Sequence, residues 1–182
     1  MQKSKGFVSA VMFVMTLAMV ACASTRTQKS AGEQVDDTVT TAAVKSALIA
    51  DPVTKAHQID VETFKGTVQL NGFVDTSASK AHATEVARKQ KGVTAVRNNL
   101  TVKTDGSSGS EVADDTAITA KVKSALAGDP RTKAHQVNVE VRDGVVQLSG
   151  FVDNSEAKST AEELARSVDH VKSVDNEIDV KK

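Results

Sequence analysis

The chain has 182 residues, with 23 basic and 23 acidic side chains and a formal net charge of +0. That balance supplies no general field to gather nucleic acid, and a chain with no Trp, no Tyr and five Phe lacks platforms for stacked single-stranded bases. A single cysteine excludes an intrachain disulfide, and cores built from Val, Leu, Ile and Ala point to small, thin domains.

The first stretch reads as an export signal. Lys3 and Lys5 precede an apolar run, Phe7 to Val20, that ends in Ala21-Cys22. The run is shorter than the ~20 residues of a spanning helix and has the length of a signal-peptide core. Residues 1–21 are therefore expected to be removed, and Cys22 to carry lipid. The pattern resembles the bacterial lipoprotein signal, with Met19 where leucine is usual. In that resemblance Ala23 after the cysteine, rather than aspartate, implies sorting to the outer membrane. Diacylglycerol and an N-acyl chain together bury several tens of methylenes at ~0.8 kcal/mol each, enough for firm anchoring. The competing reading is a plain anchor or cleaved secretory peptide with an incidental thiol.

Residues 22–34, with almost nothing apolar to bury, read as a lipidated cysteine and flexible tether. Residues 104–111 are a Gly/Ser linker. Between and after them lie two copies, 35–103 and 112–182. An offset of 78 residues sets Val44-Leu48 on Val122-Leu126, Thr54-Gln58 on Thr132-Gln136 and Gly72-Asp75 on Gly150-Asp153 without a gap. About half of the aligned positions are identical.

Each copy opens with an amphipathic helix. Ile118, Val122 and Leu126 recur every four residues, as do Val44 and Leu48. Asp36-Asp37 and Asp114-Asp115 are expected to serve its free N-terminal N–H groups. Pro52 and Pro130 end it. A hairpin follows, alternating with period two through Val137, Val139 and Val141. Lys65-Gly66 and Asp143-Gly144 make its turns. Gly72 and Gly150 continue the inward phase of the return strands and imply close backbone packing. Phe73 and Phe151 fall out of that phase, which suggests a bend or bulge at the glycine. A second helix spans 77–89 and 155–168, capped in the second copy by Asp153 with Glu156 or by Asn154. The last strands are 96–102 and 174–180. The fold class is α+β: two tandem α-β-β-α-β units, each a three-stranded mixed sheet covered on one face by two helices.

The repeated V-x-L-x-G-x-V at Val68 to Val74 and Val146 to Val152, followed by GVTAVRNNLTV from Gly92 and HVKSVDNEIDV from His170, resembles the BON domain. Two such domains behind a lipidated cysteine are similar to the dual-BON outer-membrane lipoproteins of Gram-negative bacteria. Without the lipid they are similar to osmotically induced periplasmic proteins. Glycine is usual where His170 stands, which puts the shape of that turn in question.

No catalytic constellation, metal site or cofactor motif is present in the sequence. His57, His82, His135 and His170 lack ligand spacing, and enzyme activity is not expected. Lys121, Lys123, Arg131 and Lys133 crowd the first helix of the second copy and its exit, where the first copy has Ala43 and Val53 in place of Lys121 and Arg131. The resemblance implies anionic phospholipid, of the phosphatidylglycerol kind, bound by these residues with Ile118 at the start of the helix. It implies a protein on the periplasmic face of the outer membrane that supports envelope integrity. The alternative is an interaction scaffold, for outer-membrane assembly proteins or as an envelope-stress chaperone, using exposed sheet edges. An accessory module of a secretion system is a third reading.

Overall fold

A computed structural model describes residues 31–54, 58–103 and 109–182. Cys22, Lys55 and His57 lie outside them. The first copy comprises α1 (Ala31–Ala50), β1 (Ile59–Phe64), β2 (Thr67–Val74), α2 (Ser77–Arg88), β3 (Ala95–Asn98) and β4 (Thr101–Val102). The second comprises α3 (Gly109–Gly128), β5 (Val137–Arg142), β6 (Val145–Val152), α4 (Ser155–Arg166) and β7 (Ser173–Val180), with a 3-10 turn at Ala134–Gln136.

Both sheets have the same topology. The hairpins β1–β2 and β5–β6 are antiparallel, with Ile59 opposite Gly72 and Val137 opposite Gly150. The crossover through α2 or α4 then lays β3 and β7 parallel to β2 and β6, as a short right-handed connection favours. Lys65-Gly66 and Asp143-Gly144 turn the hairpins with positive φ at both residues, 49° and 74°, 52° and 77°. That is the tight turn expected of those pairs. Val44, Leu48, Val68 and Leu70 form the core of one copy, and Val122, Leu126, Val146 and Leu148 that of the other. Each such side chain contributes roughly 1.5–3 kcal/mol by leaving water.

The first helices begin earlier than the sequence pattern implies. α1 starts at Ala31 and α3 at Gly109, inside the stretches assigned to tether and linker. Asp37 and Asp115 are consequently mid-helix rather than terminal. Asp37 accepts from the N–H groups of Lys65 and Gly66 at 2.7 and 2.9 Å. Asp115 accepts from those of Asp143 and Gly144 at 2.7 and 2.8 Å. A positive-φ turn presents two adjacent donors, and one carboxylate satisfies both. At the other end of the helix the hydroxyls of Thr54 and Thr132 donate to the carbonyls of Leu48 and Leu126 at 2.5 and 2.6 Å, which have lost their helical partners.

The second helices are capped by Thr76 and Asn154, whose side chains accept from Ser79 and Ala157 N–H. Asp153 is not the cap; Lys133 and Lys181 hold its carboxylate. The glycines bend no strand out of phase. Val68, Leu70, Gly72 and Val74 stay on the helix side, and Phe73 belongs to the opposite face. Gly72 and Gly150 have φ of +106° and +120°, and a Cβ on either would run into the carbonyl oxygen of Gln58 or Gln136 at the start of the paired strand. His170 adopts φ 71° where Gly92 has 88°. The turn keeps its shape, at the roughly 1–2 kcal/mol a non-glycine residue costs there.

Candidate functional site

The face of each sheet turned away from the helices carries Gln69, Asn71 and Phe73, or Gln147, Ser149 and Phe151. These polar side chains are not solvated. Gln69 and Asn71 are 0% exposed and Gln147 is 2% exposed, because the two sheet faces lie against each other. The contact is reciprocal. Gln69 accepts from Gly150 N–H at 3.0 Å and Gln147 accepts from Gly72 N–H at 2.5 Å. Gln147 also donates to the Asn99 carbonyl at 2.7 Å, and Gln69 donates to Asp179 at 2.6 Å. The Asn99 contact sits where the third strand of the first copy is interrupted between β3 and β4. Arg97 pairs with Asp179 at 2.6 Å, and Asn138 donates to Asp60 and Glu62 at 2.6 and 2.8 Å. Phe64 stacks on Phe151 with ring centroids 5.3 Å apart. A buried amide without a partner costs about 1–3 kcal/mol, so each face needs the other.

Beside this junction lies a cleft of about 590 Å³ lined by Phe64, Phe151, Lys133, His135, Asp153 and Lys181 among others. Lys133 and Lys181 both hold the Asp153 carboxylate, and those two hydrogen bonds lower its pKa to about 2. Lys181 also lies 5.8 Å from the centre of the Phe64 ring. The cleft is thus an internally neutralised site.

The residues proposed for lipid contact are not brought into one patch. Ile118 is 3% exposed and packs in the core with Val122 and Leu126, on the face its own periodicity dictates. It has no surface to offer a bilayer. Lys121 and Lys123 are exposed, but two helical residues differ by about 200° around the axis, so they flank α3 on opposite sides. Lys123 faces Glu140, whose pKa is raised by desolvation and by Asp60 against the pull of that ammonium. Arg131 grips Asp129 with Nε at 3.0 Å and Nη2 at 2.6 Å, which holds the Asp129 pKa at about 2. Of the histidines, His82 bonds Asp51 at 2.9 Å, and His135 and His170 are exposed. Among the described residues no group of three or more His, Cys, Asp or Glu could hold a metal, and no helix is long and apolar enough to cross a membrane.

Sequence reasoning missed the sheet-to-sheet junction. Its one signal was a glutamine at the same outward strand position in both copies, Gln69 and Gln147, beside the repeated phenylalanines 73 and 151.

Comparison with known proteins agrees with this doubled architecture. The model of the BON domain matches residues 36–104 and again 114–182. Osmotically-inducible protein Y of Escherichia coli K12 is 41% identical over 152 residues, 82% of this chain and 75% of that protein. Outer membrane lipoprotein DolP of Haemophilus influenzae is 34% identical over 147 residues, 80% of this chain and 75% of its own. A 21 kDa hemolysin of Actinobacillus pleuropneumoniae is 33% identical over the same length.

Two predictions follow from the junction and its cleft. Gln147→Ala leaves Gly72 N–H and the Asn99 carbonyl without their partner and lowers unfolding free energy by about 1–3 kcal/mol in urea titration; an unchanged midpoint would show that the junction contributes nothing. Asp153 has a pKa depressed to about 2 from the ordinary aspartate value of 3.8, so its stabilising effect is complete above that ordinary value and lost as pH falls through about 2. The stability difference between the native chain and Asp153→Asn is therefore expected to be constant at neutral pH and to shrink to nothing in strong acid, with the carboxyl resonance titrating near pH 2.

Proposed function

Because the chain belongs to the BON-domain family, with two copies of the domain filling most of its length, we propose that it is a non-enzymatic, lipid-anchored protein on the periplasmic face of the outer membrane. It contacts anionic phospholipid and supports envelope integrity. The observation that carries this reading is the 34% identity, along most of both chains, to an outer-membrane lipoprotein, in a chain whose only cysteine sits directly behind an apolar export segment. The lipid supplies the affinity for the membrane, and the domains then meet head groups at high effective concentration. Weak, charge-based contacts suffice under those conditions. In the second domain Lys121 leads the contact, Lys123 lies on the other flank of α3 facing Glu140, and Arg131 and Lys133 join it only by leaving Asp129 and Asp153.

The 41% identity to an osmotically-inducible protein favours a second reading, an envelope-stress protein that works through protein contacts. Its available surfaces are the outer edges of β1 and β5.

Metabolic labelling with a palmitate analogue tests the anchor. The native chain should be labelled and fractionate with the outer membrane, and Cys22→Ala should be unlabelled; a labelled Cys22→Ala chain, or an unlabelled native one, removes the anchored reading. Chemical-shift mapping with anionic and zwitterionic micelles tests the contact. Shifts confined to the anionic kind are expected at Lys121 and to be larger there than at Lys123, and equal shifts with both kinds would count against charge-based recognition.

A further inference from the structure

We propose that the first domain carries a membrane-docking pole of its own, in which Arg88, Lys89 and Lys91 around the exposed Val39 meet an anionic bilayer surface. The proposal rests on the anchored reading above and names a different surface from the second-domain cations.

Three chain segments converge at this pole. The Asp37 carboxylate ties α1 to the turn at Lys65 and Gly66. The Thr40 hydroxyl reaches the Lys91 carbonyl at 3.5 Å, and Thr94 N–H bonds the Gly66 carbonyl at 2.8 Å. Between them is an open groove of about 540 Å³ lined by Val39, Thr40, Ala43, Lys65 and Lys91, with Asp36 and Asp37 on its α1 side, Asp37 being engaged by the turn. Val39 is 63% exposed, an apolar side chain on the solvent side of α1. Arg88, Lys89 and Lys91 are exposed and make no ion pair among the described residues. Lys65 adds a fourth cation, its ammonium 5.5 Å from the centre of the Phe64 ring.

The second domain has the same fold at this pole and a less cationic surface. Arg166 is held by Glu162 at 2.7 Å. In the first domain Thr84 stands at the place of Glu162 and takes a hydrogen bond from Asn98 instead, which leaves Arg88 unpaired. Ser167, Asp169 and Asp143 replace Lys89, Lys91 and Lys65, while Lys121 and Lys172 stand at the places of Ala43 and Thr94. Folding therefore does not demand these cations. What it demands here, Asp37 with Gly66 and Asp115 with Gly144, is common to both copies.

The position of the anchor selects the partner. Residues 23–30 alone separate Cys22 from α1, and that many residues reach at most about 30 Å when fully extended. Val39 lies two turns further, about 12 Å along the helix. A lipid on Cys22 therefore tethers this pole within roughly 40 Å of the head groups, a reach that includes the layer of about a Debye length in which their negative potential is felt. A cationic rim around one exposed valine suits a shallow contact with such a surface. The second domain's counterpart, where Asp143 and Asp169 stand beside Lys121 and Lys172, is drawn to it less strongly.

The test uses residues 23–182, which include every described residue, with vesicles of phosphatidylglycerol and phosphatidylcholine or of phosphatidylcholine alone at low salt. Neutralising three cations as Arg88→Gln, Lys89→Gln and Lys91→Gln should weaken binding to the anionic vesicles about a hundredfold. Lys89→Ser with Lys91→Asp, the residues the second domain already accommodates at these places, should weaken it at least as much as neutralising two cations, about thirtyfold. If both variants fold and bind the anionic vesicles as tightly as the native sequence, the docking pole is wrong while the phospholipid reading stands. If the native sequence itself does not prefer anionic vesicles, both fall together.

Discussion

The organising interaction is the exchange of two glutamines across the junction. Gln69 serves the Gly150 N–H and Gln147 serves the Gly72 N–H. Each glycine belongs to the strand whose own glutamine reaches the other way, so one rule applied twice closes the pair. The polar sheet faces would be unremarkable in water. Pressed together, they are stable only in the register that satisfies their amides, since a lateral slip strands buried donors. A greasy interface of the same area would bind more tolerantly. Here hydrogen bonding makes the geometry specific. The symmetry is incomplete: Gln69 and Arg97 meet Asp179, whose counterpart is Thr101, and Phe64 stacks on Phe151 while its own counterpart is Arg142.

Within each copy a few residues do the folding work common to both. A mid-helix aspartate binds the hairpin turn, a buried threonine closes the first helix, and a glycine admits the opposing strand end. These recur as Asp37 and Asp115, Thr54 and Thr132, Gly72 and Gly150. Asn98 and Asn176 likewise tie the last strand to the second helix, donating to the Lys80 and Lys158 carbonyls at 2.6 and 3.0 Å. Exposed positions outside this set, the cores and the junction can diverge without endangering the fold. The copies differ most in surface charge, as at Lys91 and Asp169 or at Ala43 and Lys121. That is where distinct roles for the two domains can arise.

Hairpins, turn residues, the parallel third strand and both cores were legible in the sequence because apolar periodicity and positive-φ chemistry are local. Ile118 was legible too: its spacing from Val122 and Leu126 already placed it inward, and only the family resemblance drew it to the surface. The roles of Asp37 and Asp115 were not legible, because an aspartate near a helix start fits a cap as well as a distant turn. The junction was hidden for a deeper reason. Alternation reveals which face of a strand is polar, but a polar face can be solvated or buried, and the difference lies in a partner many residues away.

The ion pairs decide which cations are available to a membrane. A carboxylate with a pKa near 2, as at Asp129 and Asp153, is one whose charged form is strongly preferred by its cationic neighbours. By the same coupling, Arg131 and Lys133 are already neutralised locally, and a phosphate must displace a well-placed carboxylate to engage them. Exposed pairs are individually weak, yet a head group offers no more than the carboxylate it replaces, so the net gain is close to nil. Cations without a partner face no such exchange, and their whole attraction counts toward docking. On that ground a count of lysines and arginines misleads, and the cations that matter are those the fold has left unopposed: Lys121 on the flank of α3, and Arg88, Lys89 and Lys91 beside the helix to which the Cys22 tether leads.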